Sequence, residues 1–61
     1  VNELAKETRE AVALLRSLCK RVAGLEVPEE NEHLQSNALD GLVGSIGYLE
    51  TLANRAEGNE D

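Results

Sequence analysis

Apolar residues recur at alternating steps of four and three along both halves of this chain. That rhythm restricts it to helices that bury one stripe against a neighbour. In the first half the series is Leu4, Thr8, Ala11, Leu15, Leu18, Val22 and Leu25, interrupted by one small polar residue. In the second half it is Leu39, Leu42, Ile46, Leu49, Ala53 and Ala56. A strand would alternate every second residue, and the adjacent pairs Leu42-Val43 and Tyr48-Leu49 break any such alternation. The expected fold is therefore all-α: a two-helix antiparallel hairpin that assembles further into a helical bundle, as a dimer or with a partner.

Local signals set the boundaries. Asn2 is placed to cap a helix over about 3–23. Glu3, Glu7 and Glu10 lie near the positive end of its dipole, and Arg16, Lys20 and Arg21 near the negative end. Gly24 stands where a left-handed terminator belongs, with Leu25 free to fold back on the last turn. Pro28 suits the first turn of a second helix over about 28–57, and Glu29 and Glu30 favour its amino end. Gly58 is its stop. A connection this short makes the helices antiparallel neighbours. Residues 1–57 then form one helical hairpin and residues 58–61 a disordered acidic tail. Glu32 and Gln35 fall on core positions of the second stripe, so residues 29–37 are expected to fray, to overrun the first helix or to meet a partner.

Ala5, Val12, Leu14 and Cys19 widen the first stripe beyond what a two-stranded coiled coil uses, so it touches more than one neighbour. The expected core and oligomer seam is Leu4, Ala11, Leu15, Leu18 and Val22 against Leu39, Leu42, Ile46 and Leu49. Gly41, Gly44 and Gly47 interrupt the second helix on its outer side, each at about 1 kcal/mol relative to alanine. Close approach of another backbone would offset that cost. Gly41, Gly44, Ser45 and Tyr48 are accordingly the candidate partner-binding surface, the alternative being an exposed helix middle that no partner touches.

Charge and cysteine content narrow the function classes. Residues 1–25 carry five basic side chains against three glutamates, a net +2, whereas residues 26–61 carry Arg55 against nine acids, a net −8. That balance disfavours nucleic-acid binding, which needs clustered cations. Cys19 is the sole cysteine, so no disulfide forms within the chain; a small buried thiol in a reducing, cytoplasmic setting is expected. No apolar run approaches the roughly 20 residues of a membrane span, and no membrane partner is expected. Glu30 and His33 have the i, i+3 spacing of di-metal bundles, but His33 is the single histidine and the core rows are aliphatic, so neither metal nor cofactor is expected. The glycines lack the Lys-Ser or Lys-Thr and the preceding strand of a phosphate loop. Two helices alone make no water-shielded pocket, and the chain is read as a non-enzyme.

The plan of two heptad helices followed by an acidic tail resembles the Rop family of plasmid copy-number regulators, which implies a dimeric four-helix bundle that binds RNA. The first helix has no aromatic residue of the kind that family presents to RNA. His33-Leu34-Gln35 and the run from Ala38 through Leu49 resemble the second helix of small type III secretion co-chaperones, which implies a hairpin that holds an export subunit together with a partner. The function expected from the residues is a small protein–protein interaction module: an adaptor, small chaperone, regulator or inhibitor. It would act through helix–helix packing with a protein partner or as a homodimer. The alternative is a Rop-like nucleic-acid-binding regulator using the basic face of the first helix, Lys6, Arg9, Arg16 and Lys20.

Overall fold

A computed structural model describes residues 2–58 and contains two helices, α1 (Glu3–Ala23) and α2 (Glu32–Ala56), the second preceded by one 3-10 turn over Glu29–Asn31. The helices pack against each other as a hairpin, and no strand occurs among the described residues. Of the expected acidic tail, 58–61, only Gly58 lies among the described residues.

Both ends of the hairpin are tied by side-chain amides. Asn2 holds extended backbone and its Oδ1 accepts the Ala5 N–H at 3.1 Å, as its capping role requires. Its Nδ2 donates to the Ala56 carbonyl. One residue therefore serves an orphan donor at the start of α1 and an orphan acceptor at the end of α2. At the other end Gln35 Nε2 donates to the carbonyls of Val22, at 2.6 Å, and Leu25, at 3.1 Å. The polar residue in the second stripe is thus a clasp on the last turn of α1, and residues 32–37 are helical up to it.

Three boundary expectations are corrected. Gly24 is right-handed, at φ −88° and ψ −1°, and its N–H reaches the Lys20 and Arg21 carbonyls, so α1 tightens into its end without a left-handed residue. Leu25 donates its own N–H to Val22, but its side chain stays exposed. Pro28 does not enter a helix: at ψ 146° it precedes the 3-10 turn, and α2 begins only at Glu32. The left-handed terminator is Gly58, φ +83°, which follows α2 as expected.

The second stripe is seated as the spacing requires. Ile46 and Ala53 are buried, and Leu39, Leu42, Leu49 and Ala56 are half-buried. The first stripe is rotated from the expected register. Ala5, Thr8 and Val12 are buried and Leu15, Cys19 and Val22 half-buried, so α1 meets α2 through the rows 5/12/19 and 8/15/22. Leu4 and Leu18, expected in the core, are 54% and 43% exposed. Ala11 is half-buried at the edge, and Leu14 does not widen the contact. The most deeply buried side chains of the seam are small, Ala5 and Ala53 at 2% and 0% exposure, while Leu4 and Leu18 are left on a flank. Thr8 fits this close contact because its hydroxyl donates to the Leu4 carbonyl at 2.6 Å.

The molecule measures 46 × 17 × 11 Å, the thickness of a single layer of helices. Stable domains place at least two layers around a core.

Candidate interaction faces

A single layer has two broad faces, and the two differ sharply here. At 100° per residue, Arg9 and Arg16 lie beyond the row Ala5, Val12, Cys19, while Leu4, Ala11 and Leu18 lie on the opposite flank, beyond the row Thr8, Leu15, Val22. The arginines cross to α2. Arg9 Nε donates to Glu57 Oε2 at 3.2 Å, its Nη2 donates to Glu57 Oε1, and the same Nη2 reaches Asn54 Oδ1 at 3.1 Å. Arg16 Nη2 meets Glu50 Oε2 at 2.6 Å. The hydrogen bonds from Arg9 and its charge hold the Glu57 carboxyl below the usual carboxylate range, against a weaker opposing effect of desolvation. Of the basic face Lys6, Arg9, Arg16 and Lys20, the two arginines clasp one edge of the interhelix seam. Beside this clasp runs an open groove of about 480 Å³ over Cys19, Val43, Ile46 and Gly47. Cys19 is half-buried there as a free thiol.

The opposite face is apolar. Because the ion pairs fix which flanks of the two helices lie together, the flank of α1 bearing Leu4, Ala11 and Leu18 adjoins the flank of α2 bearing Ala38, Ser45 and Leu52. Leu14 and Leu34 extend it at 68% and 57% exposure. Leu4, Ala11 and Leu18 of α1 repeat every seven, the two leucines exposed and Ala11 half-buried at the edge, and Leu25 follows the helix, exposed as well. The accessible surface, 4664 Å², exceeds the roughly 3900 Å² of a compact monomer of this mass, as the elongated one-layer shape requires.

The glycine surface is divided by this geometry. Added side-chain carbons at Gly41, Gly44 and Gly47 would each meet open space, so nothing within the chain needs these glycines. Gly41 and Tyr48, the latter 82% exposed, border the apolar face together with Ser45. Gly44 points almost directly away from α1, and Gly47 turns toward the charged face, where it lines the groove. The four candidate partner-binding residues are therefore exposed, but Gly44 stands apart from the other three. Leu14, read from the sequence as part of the excess width of the first stripe, lies on the open face, whereas sequence reasoning missed Leu34 and Leu52, which fall outside the two rows of the second stripe.

Among the described residues no group of three His, Cys, Asp or Glu side chains is placed to hold a metal, and no helix is long and apolar enough to cross a membrane. Comparison with family models, with curated proteins and with solved structures finds no match to the chain.

Proposed function

We propose that this chain is a non-enzymatic protein–protein interaction module that acts by burying its leucine face against other helices, as an adaptor, small chaperone or regulator does. The observation that carries this reading is the set of exposed leucines Leu4, Leu14, Leu18, Leu34 and Leu52 on a one-layer hairpin whose other flank is bridged by ion pairs. A contiguous exposed apolar surface on a small chain marks an association site. Reading α1 as a nucleic-acid surface has less support, because Arg9 and Arg16 already engage Glu57 and Glu50. A lone thiol suits a reducing compartment such as the cytoplasm.

Photo-crosslinking in the producing cell tests the reading. A benzophenone side chain at Leu18 or Leu52 is expected to give adducts of defined mass, and the same group at Ala13, on the flank of the arginines, none. Equal labelling from all three positions, or no adduct from any, would remove the assignment.

A further inference from the structure

The charged side chains are shared unequally between the two faces. At 100° per residue, Lys6, Arg9, Arg16 and Lys20 turn away from the leucine face, and so do Glu32, Asp40, Glu50 and Glu57 on α2, four cations against four carboxylates. That side is balanced. The margin of the leucine face is not: on α1, Glu3, Glu7 and Glu10 lie beyond the row Leu4, Ala11, Leu18 and are followed by Arg21, while Arg55 stands on the α2 margin. Glu26, Glu29 and Glu30 occupy the loop end, next to the exposed Leu25. Among the described residues, six exposed carboxylates and two cations therefore border the apolar surface, a net −4.

An apolar stripe edged by one sign of charge selects a helix edged by the other, because the stripe supplies affinity and the margins supply steering and partner choice. We infer that the leucine face docks an amphipathic helix of another protein whose apolar stripe is flanked by lysine or arginine. The leucines of α1 span two heptads, about 21 Å, so one helix of ordinary length reaches from Leu4 to Leu18. The Asn2–Ala56 and Gln35–Val22 hydrogen bonds bring Leu4 level with Leu52, and Leu18 with Ala38, to within two residues. The apolar rows of both helices therefore line one valley. Basic side chains on one flank of the docked helix reach Glu3, Glu7 and Glu10 along the first half of α1. A second copy of this chain brings the same acidic margin, so like charges oppose it and it fills the face only where the chain is concentrated. The inference rests on the interaction-module reading above, and adds the charge of the partner.

Three synthetic helical peptides of about 20 residues, with the same leucine heptads but lysine, glutamine or glutamate flanks, test the charge. In calorimetric titrations at low ionic strength the lysine peptide is expected to bind about tenfold tighter than the glutamine peptide, as a few rim pairs give, and the glutamate peptide most weakly. Glu3→Gln, Glu7→Gln and Glu10→Gln together should erase most of that preference at unchanged helicity, and Glu7→Gln alone should move it in the same direction. Leu18→Ala with Leu52→Ala should weaken all three peptides alike. Salt separates the partner from a second copy: rising ionic strength should weaken the lysine peptide and strengthen self-association of the wild-type chain in sedimentation. Equal affinity for the three peptides at low salt would overturn the inference, as would a lysine preference that survives the triple change. So would a wild-type dimer at low micromolar concentration that the lysine peptide does not displace, which would give the face to a second copy. Failure of the two readings is distinguishable: an adduct through Leu18 to an acidic helix or to this chain itself sinks the basic partner alone, whereas a face that crosslinks to nothing sinks both.

Discussion

Gln35 shows how one residue changes meaning between sequence and structure. In the heptad pattern it is a polar interruption, and in the fold it donates to the Val22 carbonyl in the last turn of α1, which also accepts the Leu25 N–H, and to the Leu25 carbonyl just beyond the helix. Gln35→Leu keeps the volume and removes the donors, and should lower stability by about 1 kcal/mol in a denaturant melt; a gain in stability would mean that the site wants only packing. At the opposite end, Glu57 supplies a pH dependence of known sign. Its folded-state pKa is depressed, first by hydrogen bonding to Arg9 and then by the charge of that guanidinium. The stabilisation is present at neutral pH and is lost as pH falls through the lowered value, below the usual carboxylate range. Glu57→Gln should therefore flatten the acid limb of thermal stability and leave the slope above neutral pH unchanged. An unchanged acid limb would show that the pair is too solvated to couple to folding.

At the level of elements, α2 was legible in the sequence and α1 only in part. The second stripe is narrow, two rows wide, so spacing alone selects the buried side, and Ile46 and Ala53 are where it puts them. The first stripe is four rows wide. Periodicity locates such a stripe but does not say which edge faces the neighbour, and here the small row Ala5, Val12, Cys19 takes the contact and leaves Leu4 and Leu18 outside. Interhelix ion pairs were illegible for a related reason, since whether a cation sits on a flank or an outer side depends on that same rotation. The end of α1 and its Asn2 cap were readable because they rest on local chemistry, whereas Gly24 turned out right-handed because the last-turn carbonyls accept its N–H directly. The rotation has a measurable consequence. Ile46→Ala should cost about 2–5 kcal/mol at any protein concentration, as truncation of a residue only 7% exposed does. Leu18→Ala should cost under about 1 kcal/mol in a chain dilute enough to be monomeric, because much of its side chain is already in water. Equal losses at the two sites under dilution would restore the register in which Leu18 is core.

On the scale of the whole molecule, the decisive fact is that a hairpin one helix thick buries four apolar side chains, two of them alanines, among its described residues. Fixing the backbone costs about 1–2 kcal/mol per residue, and so small a core contributes little against it. The missing second layer is the physical reason for the leucine face, and helices packed on that face, from a second copy or another protein, would supply it. Stability and association are then one equilibrium, so the melting temperature must depend on chain concentration. The direct measurement is the thermal melt, followed by circular dichroism, from low micromolar to hundreds of micromolar. The melting temperature of the wild-type chain should climb steadily across that range, and that of Leu18→Glu should stay low and flat. A cooperative wild-type melt from full helicity at the same temperature throughout, matched by Leu18→Glu, would show that the hairpin stands alone and that its leucine face is not filled by a second copy.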